Sequence, residues 1–365
     1  MPNADAYLHD AFAAFELGAP VAGAKRFGQG HINDTYLVET QASRRFIFQR
    51  ISPVAFKRPD QLMENVVGIT EYLSRELEKT GGDARRGTLR FLRTREGGYY
   101  YTDPDGGAWR TYPFVEGTVC YETAETPELF AASGRAFGRF QRLLQGYPAQ
   151  TLYETIPRFH DTEDRLAKLK AAAEADPLGR KAGCQAEISF ILAREADCSV
   201  ALQALREGRL PLRVTHNDTK LNNVLMDEKT GEGVCIVDLD TVMPGLSIND
   251  FGDSIRFGAN HCAEDERDLS KVSLDLQLFA LYTQAFLEGA GGTLTDEEIA
   301  YLPWGAKLMT LECGMRFLTD HLEGDVYFHT SRAGQNLDRC RTQCKLVADM
   351  EAHWDEIKSI VEKYR

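Results

Sequence analysis

The chain lacks any apolar run approaching the roughly 20 residues that cross a bilayer. Its opening, MPNADAYLHDAFAAFELGAP, sets no basic cluster ahead of its apolar residues as a secretory leader would. No membrane partner is expected, and the expected compartment is the cytoplasm. Basic stretches interleaved with aromatics are missing too: 42 Lys and Arg face 55 Asp and Glu, for a formal net charge of −13. A surface of that sign repels a phosphate backbone, so nucleic acid is not an expected partner. Cysteine is sparse and scattered, eight residues in 365. A chain of this length builds a core without disulfides, and reduced thiols are expected. Cys340 and Cys344 stand one helical turn apart, but no second close pair of Cys or His completes a tetrahedral zinc set. There is no internal repeat, low-complexity tract or long flexible linker.

What is present is ample apolar material, 43% of residues, with 27% charged, enough for two domains or one two-lobed unit. RFGQGHINDTYLVET (26–40) reads as a glycine-containing turn followed by an alternating strand, and RRFIFQRI (44–51) as its hairpin partner. Leu62, Val66, Ile69, Leu73 and Leu77 recur at helical spacing. TLRFLRT and GGYYYTD are two further strand candidates, so residues 1–115 read as a small α+β unit. From about Thr126 the periodicity turns helical: Phe130, Phe137, Phe140 and Leu144 share a face, as do Leu308, Leu311, Met315, Leu318 and Leu322. Only Arg213 to Asp240 interrupts it, with three short apolar stretches that predict loop, hairpin and loop inside a helical lobe.

That interruption carries chemistry. His216, Asp218 and Asn223 have the spacing H-x-D-x-x-x-x-N of a kinase catalytic loop. An acceptor hydroxyl needs a carboxylate to orient it and take its proton, and a phosphate-bridging metal needs a neutral oxygen ligand a short loop away. Asp218 suits the first task and Asn223 the second. Fifteen residues further on, Asp238 ends the apolar run 234–237, where a carboxylate can be held for magnesium. Lys220 could offset charge developing on the transferred group, or be a solvated lysine. His216 is expected to be structural. Asp240 could supplement the metal set, whereas Asp250 is expected to tie the loop by accepting backbone N–H bonds. The segment Gly28-Gln29-Gly30-His31-Ile32-Asn33-Asp34-Thr35 permits close backbone approach to phosphates. It lacks the third glycine of G-x-G-x-x-G, and a plain hairpin turn is the alternative.

These residues, in this order, resemble the aminoglycoside phosphotransferase and choline kinase branch of protein-kinase-like enzymes. The stretches VTHNDTKLNNVLMD and VDLDTVMPGLSINDFGDSIRFGAN look specifically like N-acetylhexosamine 1-kinases. The similarity runs from FGQGHINDTYLV through PFVEGTV to LECGMRFLTDHLEGDVYFH. It implies an α+β, two-lobed protein-kinase-like fold, a β-rich nucleotide-binding lobe at 1–115 and a larger helical lobe at 116–365. Mg2+ and ATP would lie in the cleft, with adenine at a hinge near 112–115 that includes Tyr112 and Phe114. The base would be Asp218, the metal ligands Asn223 and Asp238, and the sugar contacts Arg316 and Tyr327. The phosphate would go to the anomeric hydroxyl of N-acetylglucosamine or N-acetylgalactosamine.

Two features qualify the resemblance. The third-strand lysine of protein kinases has no counterpart in FIFQR, which offers Gln49 or Arg50 to the phosphates and leaves a partnership with Glu64 open. Eleven residues separate Asp238 from Asp250 with no Ala-Pro-Glu motif, too few for a peptide platform, so a protein substrate is not expected. Arg316 could donate to an N-acetyl carbonyl, or pair with Glu312 and Asp320 one turn to either side. An amino alcohol or aminoglycoside acceptor, and a non-catalytic nucleotide-binding scaffold, are the competing readings.

Overall fold

The computed structural model describes residues 4–28 and 33–365. Its N-terminal part holds α1 (Leu8–Ala14), β1 (Val21–Arg26), β2 (Asp34–Thr40), β3 (Arg45–Ile51), α2 (Pro59–Lys79), α3 (Ala84–Gly87), β4 (Tyr101–Thr102) and β5 (Ala108–Pro113). The strands form one antiparallel sheet in the order β1-β2-β3-β5-β4. Strand alternation sorts β3 between two surfaces. Ile47 and Ile51 pack toward α2, whose Leu62, Val66, Ile69, Leu73 and Leu77 are all buried. Phe46 and Phe48 face the other way, against Phe15, Tyr36 and Trp109. Pro59 opens α2 at a position whose N–H has no intrahelical partner to lose.

Beyond β5 the chain changes sheets. β6 (Thr118–Val119) pairs with β8 (Val224–Asp227), which pairs with β9 (Gly233–Ile236), and β7 (Arg213–Thr215) pairs with β10 (Met243–Gly245). Around these lie α4 (Pro127–Leu143), α5 (Thr162–Ala175), α6 (Gln185–Leu192), α7 (Val200–Arg206), α8 (Ser247–Gly258), α9 (Leu276–Ala290), α10 (Asp296–Ala300), α11 (Leu302–Glu323), α12 (Gln335–Ala352) and α13 (Trp354–Tyr364). Two helix pairs meet backbone to backbone. A methyl group at Gly138 of α4 would overlap the carbonyl of Phe286 on α9, and one at Gly252 of α8 would overlap the carbonyl of Gly305 on α11. None of these helices is long and apolar enough to cross a membrane.

The α+β, two-lobed kinase-like architecture expected from the sequence is present. One strand reading differs. TLRFLRT is not a strand: Leu92 N–H bonds the Thr111 carbonyl at 2.9 Å and Thr94 makes one isolated bridge to Phe15. The six-residue edge of β5 is shared, with β4 taking Trp109 and Ala108, and too little remains for a second full strand. β1 and β10 were illegible because VAGAKR is largely exposed and MPG carries no alternation. All eight cysteines are free thiols, and Cys340 Sγ lies 3.8 Å from Cys344 Sγ. No group of three or more His, Cys, Asp or Glu poised for a metal occurs among the described residues.

Candidate functional site

β7 delivers the chain to His216, and α8 holds the loop beyond it. Asp250 accepts from His216 N–H at 2.9 Å and Asn217 N–H at 2.8 Å, while Gln141 of α4 donates to it at 2.8 Å. Asp253 accepts from Thr219 N–H at 3.0 Å. The expected tie by Asp250 is present. Asn217 is left-handed, with φ 67°, a conformation Asn tolerates better than most residues, and its amide donates to the Thr241 carbonyl at 2.8 Å. Thus clamped on both sides, Asp218 projects a carboxylate that is about a quarter exposed, at 28%.

Asp218 Oδ1 is 2.8 Å from Lys220 Nζ, and its Oδ2 accepts from Asn223 Nδ2 at 3.2 Å. Lys220 is not a free surface lysine. Burial opposes its charge, but Asp218 and Asp253 outweigh that and hold its pKa above the ordinary lysine value. The His216 ring accepts from Asp218 N–H at 3.2 Å through Nδ1 and donates through Nε2 to the Val237 carbonyl at 2.9 Å. The ring thereby ties Asp218 to the end of β9, a structural role, as expected.

Asp238 follows β9 in a left-handed conformation, φ 55°, and Val237 N–H bonds the Asn223 carbonyl at 2.9 Å, fixing the two segments against each other. Burial, then Asp240, then Asp218 push the Asp238 carboxyl up to about 6. Such crowding of carboxylates is relieved by a divalent cation, and Asn223, whose amide nitrogen is committed to Asp218, presents its oxygen as the ligand end. The residues therefore fit a divalent metal, which Asn223 and Asp238 would hold. Asp240, a candidate further ligand by sequence, is otherwise engaged: Arg110 Nη1 lies 2.5 Å from its Oδ1, without hydrogen-bond alignment, and Asn33 Nδ2 donates to its Oδ2 at 2.6 Å.

On the opposite wall, Gln49 is the cleft-facing residue of its pair. Its Oε1 accepts from Arg110 Nε at 3.0 Å and Nη2 at 2.9 Å, and its Nε2 donates to Thr35 Oγ1 at 3.3 Å. Arg50 points to the other side of the sheet, where it pairs with buried Asp103 at 2.6 Å. It cannot meet phosphates, and Glu64 is exposed on α2. The cation beside Gln49 is thus Arg110, from β5, only 2% exposed. The sequence reading missed it, although an arginine inside the buried strand AWRTYP was a usable signal.

Gly28 has φ 77° with open space around it, so its backbone conformation, not crowding, calls for glycine. Gly30 and His31 lie outside the described residues. Asn33 accepts from Ser52 N–H at 2.9 Å and Asp34 pairs with Arg26 at 2.6 Å. Tyr112 is buried against Phe91, with ring centroids 5.3 Å apart. Phe114 faces Phe27, next to Gly28, at 5.9 Å.

On the far side of Asp218, α11 presents Arg316. The surface ion pair considered for it does not form. Glu312 bonds His160 Nδ1 at 2.9 Å and Thr162 Oγ1 at 3.1 Å. Asp320 accepts from the N–H groups of Val326, Tyr327 and Phe328 at 2.9, 2.7 and 3.0 Å. Arg316 instead lies over Phe159, Tyr327 and Phe328 at 5.3, 5.7 and 5.3 Å and reaches the Tyr327 hydroxyl at 3.4 Å. Among the described residues, nearby Arg165 bonds only the Phe159 carbonyl, at 2.7 Å, and its buried Nε has no partner. Burial, and then Arg316, lower its pKa. A cavity of about 450 Å³ also opens beside the loop, lined by Thr219, Leu221, Arg256, Asn260 and Gln343, within the size range of small-ligand pockets.

Residues 23–280 match the family model described as "APH: Phosphotransferase enzyme family". Among solved structures, an amicoumacin kinase in complex with AMP-PNP, Ca2+ and Ami superposes with TM-score 0.60 at 16% identity, over 94% of this chain and 93% of that one. A microcompartment-associated aminopropanol kinase gives 0.57 at 15%, over 97% and 98%. The ethanolamine kinase of Plasmodium vivax gives 0.53 at 13%, over 88% and 82%.

Proposed function

The chain belongs to the APH phosphotransferase enzyme family, and within that family of small-molecule phosphotransferases we propose that it is an N-acetylhexosamine 1-kinase. It would transfer the terminal phosphoryl group of ATP to the anomeric hydroxyl of N-acetylglucosamine or N-acetylgalactosamine. The observation that carries the acceptor is Arg316: its guanidinium is partnered by no carboxylate among the described residues and is framed by aromatic rings, with Arg165 close by. Paired donors of this kind suit a carbonyl oxygen such as that of an acetamido group, with Tyr327 as a second polar contact.

Asp218 orients the anomeric hydroxyl and accepts its proton, a task within reach of a carboxylate because that hydroxyl is the most acidic of the sugar. Lys220, already 2.8 Å from Asp218, offsets charge on the group in flight. Asn223 and Asp238 would hold Mg2+, which would supply positive charge to neutralise the phosphate oxygens. The loop Gly28–Thr35 with Gln49 covers the phosphates, and adenine lies by Tyr112 and Phe114. ATP and a divalent cation accord with the AMP-PNP and Ca2+ of the amicoumacin kinase.

The names of the similar kinases favour a second acceptor class, amines such as aminopropanol or ethanolamine. Two arginines without carboxylate partners repel such cations. Incubation with ATP and Mg2+ across free hexoses, N-acetylhexosamines and amino alcohols, read by phosphorus NMR, separates the two. A sugar 1-phosphate from an N-acetylhexosamine is the expected product. Transfer to amino alcohols alone would replace this reading.

A further inference from the structure

His160 precedes α5 and stands between the two halves of the site. Its ring is 11% exposed, with Nδ1 2.9 Å from Glu312 Oε1 and Nε2 3.2 Å from the Asn217 carbonyl. Both partners only accept. A neutral imidazole carries one N–H and satisfies one of them; an imidazolium satisfies both. His216, the residue before Asn217 in the same loop, faces one donor and one acceptor. Two histidine rings therefore hold the peptide that leads into Asp218.

We propose that His160 is a positioning residue for phosphoryl transfer, an ionic brace that ties the catalytic loop at Asn217 to Glu312 on α11, the helix that carries Arg316. The proposal rests on Asp218 being the base. Glu312 is 1% exposed and sits one helical turn before Arg316. A buried carboxylate there is costly without a cation, and the available guanidinium is turned toward the aromatic rings. His160 fills that role, and its other N–H fixes a carbonyl next to the base.

The charged groups facing His160 are Glu312 and Arg316 from α11 and Asp253 from α8. Burial lowers its pKa and Arg316 adds to that. Glu312 and Asp253 outweigh both, so the ring titrates above the ordinary histidine value. For a raised histidine, the brace is complete below the ordinary pKa and is lost as pH rises through the folded one. Deprotonation turns a lone pair toward one of the two acceptors, and the loop loses a tie.

The test joins nitrogen-15 NMR of the histidine rings in the intact enzyme with pH profiles of kcat for the wild type, His160→Gln and His160→Ala. The ring of His160 is expected to carry two protons at pH 7. Wild-type kcat is expected to fall on the alkaline side as that ring titrates. In His160→Gln this limb disappears, kcat drops between about 10- and 100-fold, and KM for ATP stays within about two-fold. A singly protonated ring at pH 7, or a folded His160→Ala enzyme with kcat within about two-fold of wild type, overturns the proposal. The NMR readout on wild type decides even if both variants fail to fold. Near-normal turnover of Asp218→Asn beside a doubly protonated ring would locate the failure in the base assignment instead.

Discussion

On the proposed reading Asp218 and Asn223 have different tasks within one short loop, and their substitutions should separate. Asp218→Asn keeps shape and Asn223 contact but removes the proton acceptor; kcat is expected to fall by orders of magnitude while nucleotide still binds, measured by turnover and by calorimetry. Arg316→Ala should leave the ATP constants alone and raise acceptor KM by roughly ten- to a hundred-fold, the loss of one charged hydrogen bond of about 1.5–3 kcal/mol. An unchanged acceptor KM would move the acceptor elsewhere, the cavity beside Thr219 being the next place to look. Asp218, Asn223 and Asp238 were legible because their spacing along the chain is itself the chemical requirement. Arg110, His160 and the true partners of Glu312 were not. Arg110 meets Asp240 and His160 meets Glu312 across more than a hundred residues, and no local pattern encodes a contact of that separation.

Among the elements, α8 and the loop after α11 show how a carboxylate can organise backbone. Asp250 takes two loop N–H groups and the Gln141 amide at once. Asp250→Ala leaves three buried donors unpaired and should lower unfolding free energy by roughly 3 kcal/mol or more, read from urea melts. Asp320 does the same for the segment carrying Tyr327. Because that segment lies at the surface, with Tyr327 67% exposed, Asp320→Ala is expected to weaken acceptor binding more than ATP binding, in a comparison of the two KM values. The long helices were readable from their periodicity, since each buries one stripe. The short strands were not: β1 is an exposed edge, β10 is three residues long, and the segment at Leu92 alternates like a strand yet finds β5 already shared with β4.

At the scale of the molecule, the sheet and the helical part are joined through Asp240. It takes Arg110 from β5 and Asn33 from the start of β2 while standing two residues from Asp238. Asp240→Ala leaves the buried Arg110 guanidinium without its counter-charge and should cost about 3–5 kcal/mol, whereas Arg110→Met with Asp240→Leu should recover part of it, Gln49 and Asn33 losing their partners. Denaturant melts of both singles and the double would show that coupling, and additive losses would remove it. On the outer face of the sheet, Arg50 and Asp103 form a second buried pair. That accounts for one of the two candidates in FIFQR by architecture instead of chemistry.

The contact of Gly252 with Gly305 has a consequence for how this scaffold can change. α8 carries the clamp on the base and α11 carries Glu312 and Arg316, and where they cross, peptide rests on peptide with no side chain between. Distances set by rotamers drift as residues are exchanged; a distance set by two main chains does not. The separation between the clamp on Asp218 and the helix of Arg316 is therefore a fixed gauge, and on the proposed reading new acceptors must be accommodated by exchanging side chains along α11 and its following loop, at constant helix spacing. A library that varies those surfaces and spares the two glycines should retain phosphoryl transfer while its acceptor range moves.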